Sequence, residues 1–419
     1  MSNPKTLRNY PKIRSILAQT GCNWEGFHAY DRYALEGFKK RSASSLERYE
    51  HLRSDAVDHA YLRSVVDYYR TIGFGDVPPL VHALIDEVRG IRSRFFIDDS
   101  LRWRVISVFN EPEMFGAYAD KNLYPISVRT SRQPKTHLRC IDGKIFRGDY
   151  SSVVNSNWHE CLVPEQKFII KPSRLADGRQ VELCKRVGRS LLIESTAFSL
   201  AELIEQYRGN FLIQELIEQS EKVARLHPSS VNTLRMVTLR WKGNIFHLPS
   251  FMRIGSGGQC KDNADSGGLC IGFDDNGMLS PSAFDKRGKE LFVHPTSGFN
   301  FSKHRLQIPN FSEFQKFVEA LHIDIPHHDL VSWDIAVGSD GLPVFIEHNF
   351  TGALWIYQLT TGMPLFGCLS EDILPWLARQ PARSLTKAQR IEASQTYRLA
   401  RILKRLNFMP ALSSFLARR

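Results

Sequence analysis

No stretch of the 419-residue sequence stays apolar for the ~18 residues that a membrane span needs. Its first residues, MSNPKTLRNYPKIRSILAQTG, lack the apolar core of a secretory signal. No CxxC pair occurs, and the seven cysteines are scattered and odd in number. That excludes a disulfide framework and a zinc knuckle, and it predicts free thiols in a reducing compartment. Internal repeats and low-complexity tracts are absent. These absences together predict a cytoplasmic protein of enzyme size, with about two to four domains.

What is present is a core-forming composition, 42% hydrophobic, with a formal charge of +11 that is unevenly placed. From Arg379 to Arg419 there are ten Lys/Arg against one acid, Glu392, a local +9. The rest of the chain is nearly neutral, which argues against a nucleic-acid partner. The tail reads as a basic amphipathic helix that packs on the body. Contact with an anionic membrane surface or a partner complex is a second role its charge allows.

Four regions follow from the patterning: a helical N-terminal region (1–100), a first mixed lobe (101–220), a second lobe (221–375) and the basic tail (376–419). SSLERYEHLRSDAVDHAYLRSVVDYYRTIG has helical spacing that stops at Gly73, and VPPLVHALIDEVRGIRSRFFI reads as a second short helical region. RWRVISVFN (102–110) reads as the first strand, followed later by LYPISVRT (123–130). FIIKPS, GRSLLIES and NFLIQELIEQ read as strands, with a helix in AFSLAELIEQY. From residue 231 strands dominate, broken by the amphipathic SEFQKFVEALHI. No regular βαβ period appears, so the fold class is α+β with largely antiparallel sheets.

The chemistry concentrates in VSWDIAVGSDGLPVFIEHNF, two apolar strands joined by a glycine-bounded turn. Side chains two apart share a face, so Glu347 and Asn349 point together and His348 points away. A two- or four-residue loop puts Asp334 on that face too; an odd loop without a bulge does not. Either acid alone would read as a solvated strand end. Together the three offer hard oxygen ligands without His or Cys, which suits magnesium completed by phosphate oxygens. Lys171 ends the strand FIIKPS, where an ammonium meets phosphate as a point charge. Glu215 and Glu218 follow an apolar strand, where a linker could offer backbone groups to adenine and a carboxylate to ribose. Arg235 and Arg253 sit inside strands, a costly placement unless they meet an anion. The Gly-rich loop carrying Asn263 lets backbone amides approach an anion.

These residues resemble the ATP-grasp superfamily. Asp334, Glu347 and Asn349 look like its magnesium signature, Lys171 and Lys121 (in YADKNLYPI) like its nucleotide lysines, and Gln214, Glu215, Leu216 and Glu218 like its adenine hinge. HPSSVNTLR, RIGSGG, DNADSGGL, HPTSGF and WDIAV…PVFIEHN resemble the sugar-transfer-associated group, related to α-L-glutamate ligases, over roughly residues 110–370. The resemblance implies an ATP-grasp fold, with the nucleotide between two α+β lobes. It also implies an ATP- and Mg²⁺-dependent carboxylate–amine ligase that works through an acyl phosphate. Its partners would be a small-molecule or glycan carboxylate and an amine or amino acid, in surface-polysaccharide assembly. Arg235 and Arg253 would stabilise the transferring phosphoryl group, Asn263 would join the metal–phosphate cluster, and His227, His294 and Arg305 would face substrate. A catalytically inactive nucleotide-binding protein, or a membrane-docked scaffold, is the alternative reading.

Overall fold

A computed structural model describes residues 11–23, 48–52, 57–174, 180–257 and 267–381; Asn263 and the expected basic helix beyond residue 381 lie outside them. Helix α1 spans Pro11–Gln19, α2 His59–Ile72 and α3 Leu80–Arg89. In α2, Leu62, Val65, Val66 and Tyr69 form one buried stripe. Asp58 accepts from the amides of Ala60 and Tyr61 at its start, and Gly73 ends it with φ 101°, a left-handed conformation that suits glycine.

Residues 102–110 are not a strand. Arg102–Phe109 is a helix, α4. Asp98 accepts from Ser100 N at 2.8 Å and starts a helical turn. Val105 and Phe109, one turn apart, then pack with Leu239 and Trp241. A cap and tertiary burial thus override the β propensity of Val and Ile. The stretch after Asp120 is likewise helical: its carboxylate caps Asn122, and Tyr124–Ser127 forms a short turn with Pro125 near its start.

Two antiparallel sheets carry the remainder. The first contains β1 (Thr136–Ile141), β2 (Lys144–Arg147), β3 (Ser152–Val153), β4 (Lys167–Pro172), β5 (Glu182–Val187), β6 (Ser190–Ile193), β7 (Thr196–Phe198) and β8 (Phe211–Glu215), in the order β3-β2-β1-β8-β4-β5-β6-β7. Helix α5 (Leu200–Gln206) closes one face, where Leu203 joins Leu138, Phe168, Ile170 and Ile213 in a core. The alternate residues Arg139, Leu212 and Lys171, in register across β1, β8 and β4, take the other face.

The second sheet contains β9 (Thr233–Trp241), β10 (Asn244–Ile254), β11 (Leu269–Gly272), β12 (Ala283–Phe284), β13 (Glu290–Leu291), β14 (Leu330–Val337) and β15 (Pro343–Asn349), in the order β13-β12-β11-β10-β9-β14-β15. One face, with Leu234, Met236, Met252, Trp333 and Phe345, packs on Phe314, Val318 and Leu321 of helix α6 (Phe311–Ile323). The other face is divided. Val237, Leu239 and Phe251 bury against α2, α4, α7 (Trp355–Thr361) and α8 (Ser370–Arg379). Arg235, Arg253 and Asp334 share that same face, but there polar groups replace the core.

Candidate active site

The β14–β15 hairpin has an odd loop. Val337 pairs with Pro343, leaving residues 338–342 as five loop residues, and the register shifts between Asp334 and Ile335. The shift is a bulge at Ile346, so Asp334 stands opposite Glu347 and Ser332 opposite Asn349. Phe345 and His348 therefore both turn to the core, with ring centroids 5.9 Å apart. His348 is enclosed by Tyr124, Trp333 and Phe350. Burial pushes its imidazole down to about 3, so it stays neutral.

Asp334 is fully buried and is opposite Arg235 on β9. Arg235 donates through Nε to one carboxylate oxygen and through Nη2 to the other, the latter at 2.8 Å. Arg253 Nη2 approaches Oδ2 at 3.2 Å, and Asn349 Nδ2 donates to it at 3.3 Å. Burial raises the Asp334 carboxyl against the pull of Arg235 and Arg253, while Asp334 raises the Arg235 guanidinium against burial. The proton stays on arginine and the pair is ionic. Glu347 is reached from the turn Lys121–Leu123, with Lys121 Nζ 3.2 Å from Oε2. Burial opposes its ionisation, yet Lys121, Arg253, Lys171 and Arg235 hold its carboxyl down at about 2. Lys171 is brought down to about 8 by burial and by Lys121.

Four basic side chains thus surround two carboxylates, leaving a surplus of positive charge in a largely buried cluster. Among the described residues no three of His, Cys, Asp and Glu gather around a metal position. The donors on offer are two carboxylates and the Asn349 amide, which fit a magnesium ion that takes its other ligands from phosphate and water. The surplus cations fit the phosphates themselves.

The other expected residues are placed as follows. Gln214 donates to Thr136 Oγ1 at 2.9 Å, and Glu215 accepts from Lys135 N at 2.8 Å, so both side chains engage the start of β1. Leu216 and Glu218 are exposed in the linker beyond β8. His227 and His294 are buried, each with Nε2 2.8 Å from a glycine carbonyl, of Gly257 and Gly255 respectively. These carbonyls lie on the stem that follows Arg253. Arg305 is exposed.

Several site residues were not anticipated. Arg139 is a strand-interior arginine in HLRCI, the same signal that singled out Arg235 and Arg253. Tyr357 Oη lies 2.9 Å from Ser332 Oγ on the site face, and only the fold brings α7 there. Arg132 forms a bidentate pair with Asp340 at 2.8 and 3.0 Å and donates Nε to Pro343 O at 2.8 Å, fastening the segment before β1 to the hairpin. The segment after β8 is fastened there too, by Ser220 N to Val337 O at 2.9 Å.

A family model described as sugar-transfer associated ATP-grasp matches residues 108–371. A search of curated proteins returned no match. Among solved structures, the biotin carboxylase domain of Hydrogenobacter thermophilus 2-oxoglutarate carboxylase is 15% identical with a TM-score of 0.35, covering 78% of this chain and 57% of that one. The L-amino acid ligase of Bacillus licheniformis is 13% identical with a TM-score of 0.29, covering 65% and 48%. The D-alanine–D-alanine ligase of Bacillus anthracis is 12% identical with a TM-score of 0.30, covering 66% and 70%. The chain thus spans about half of the first two.

Proposed function

The chain belongs to the sugar-transfer associated ATP-grasp family, and we propose on that premise that it is an ATP-dependent carboxylate–amine ligase acting on a glycan or uronic acid. The substrate carboxylate attacks the γ-phosphorus of ATP, the bond to the β-phosphate oxygen breaks, and ADP leaves an acyl phosphate. An amine, such as that of an amino acid, then attacks the acyl carbon, loses a proton and expels phosphate. The product is an amide. The family's sugar-transfer association supports a glycan acid.

The observation that carries this reading is the row Arg253, Arg235, Asp334 and Glu347 on one sheet, met by Lys121 from the turn Lys121–Leu123, with Lys171 of the other sheet beside it. Such a reaction needs positioning and charge neutralisation rather than a protein nucleophile. Lys121 and Lys171 hold phosphate oxygens. Arg253 and Arg235 stabilise charge on the transferring phosphoryl group. Magnesium, held by Asp334, Glu347 and Asn349, would supply further neutralisation of the phosphates. Partial burial of the row, with Asp334 fully enclosed, strengthens each of these interactions.

The test is ADP release by the full chain with magnesium and ATP, screened over uronic acids, amino acids and their mixtures. Release that requires both an acid and an amine is expected. Release indifferent to every acid would contradict the acyl-phosphate route.

A further inference from the structure

Lys121 lies on a short turn, Lys121–Leu123, and its ammonium must reach Glu347 on β15. The turn is fixed at the next residue. Arg139 Nη1 donates to Asn122 O at 3.2 Å, and Tyr150 Oη donates to the same oxygen at 2.6 Å. The Arg139 guanidinium lies over the Tyr150 ring, 4.7 Å from its centroid. Asn122 Nδ2 donates to Cys140 O at 3.1 Å, and Lys121 N to Ser173 O at 2.8 Å.

Two further features show that the chain is shaped to make these contacts. Tyr150 has φ 67°, a left-handed backbone that a bulky aromatic residue rarely adopts. The turn before it leans on β1 at Gly148, where a Cβ would stand 1.9 Å from Thr136 O. Only glycine allows that approach, and Gly148 O in turn accepts from Arg139 Nε at 3.3 Å. Arg139 itself is 1% exposed, and burial lowers its guanidinium from the usual range. A turn closed against β1, an unfavourable backbone and a buried charge all converge on one carbonyl oxygen.

We propose that Arg139 and Tyr150 are a positioning pair for Lys121, setting its ammonium for the nucleotide phosphates. This rests on the reading of Lys121 as a phosphate ligand. Both residues act through Asn122, whose carbonyl oxygen they share. Removing the Tyr150 hydroxyl lets the turn relax while Lys121 remains.

Isothermal titration of the full chain with ADP and magnesium, and separately with adenosine, tests the pair in Tyr150→Phe, Arg139→Lys, Lys121→Met and Tyr150→Phe/Lys121→Met. Tyr150→Phe should weaken ADP about fivefold, the worth of one hydrogen bond. It should leave adenosine unchanged, and it should add nothing once Lys121 is replaced. Arg139→Lys, which keeps the charge but loses the fork, should show the same selectivity. If Lys121→Met weakens ADP and Tyr150→Phe does not, or if Tyr150→Phe acts equally in both backgrounds, the pair does not position Lys121. If Lys121→Met itself leaves ADP binding intact, the reading of Lys121 fails and the pair's role falls with it.

Discussion

Asp334 faces Glu347 across two strands because Ile346 is bulged out between them. The five-residue loop alone would set Asp334 opposite Ile346. The bulge restores the pairing and also turns His348 to the core, the face that Phe345 already takes. One extra residue thus reconciles an odd loop with a two-carboxylate site, a use of bulges common beside active sites.

Asp334 and Arg235 form a buried ionic pair whose halves depend on one another. Asp334→Asn leaves Arg235 and Arg253 facing a neutral amide, and should cost about 3–5 kcal/mol of stability. Arg235→Met should cost a similar amount. The double variant should cost less than the sum of the two. Denaturant unfolding of the three variants checks this.

Glu347→Gln removes one negative charge from a cluster of cations. It should reduce turnover by at least ~100-fold, as for loss of one carboxylate of the proposed magnesium site. Without magnesium it should bind ADP more tightly than the natural protein, because the surplus of positive charge rises. Titration with ADP in the presence of a chelator reads this directly.

Lys171, lowered to about 8 by burial and Lys121, gives two pH dependences. ADP affinity should fall as pH rises through about 8, because the ammonium loses its charge, and Lys171→Arg should abolish that fall. An unfolded chain would hold this proton up to the ordinary lysine value of 10.5, so it binds more protons than the folded one between about 8 and 10.5. This group's contribution to stability therefore rises with pH across that window. Unfolding midpoints of Lys171→Met and the natural protein should converge toward its upper end.

Arg132 and Asp340 hold the hairpin that carries both carboxylates. Their pair is half exposed, so Asp340→Ala should cost no more than about 1 kcal/mol globally. Its local effect should be larger. Phe345 N donates to Arg132 O at 2.8 Å, and its hydrogen exchange should accelerate in this variant.

Much of this was legible in the sequence where a local period decides the outcome. The α2 stripe ended at Gly73 as read, and strand alternation put Glu347 and Asn349 on one face with His348 away from it. The dependence of Asp334 on loop length or a bulge was legible; the bulge itself was not, because nothing in PVFIEHN marks Ile346 as the extra residue. The strand expected at 102–110 failed where burial against Trp241, distant in sequence, outweighed the propensity of Val and Ile. Arg139 and Tyr150 were missed for a related reason, since their common acceptor, Asn122 O, is a backbone atom that only the fold brings to them.

The central claim is an acyl phosphate formed at the Asp334–Glu347 site. Hydroxylamine, supplied in place of the amine with ATP, magnesium and a uronic acid, should trap it as a hydroxamate in step with ADP release. Glu347→Gln should abolish both. ADP release without hydroxamate, or release that survives Glu347→Gln, would contradict the account.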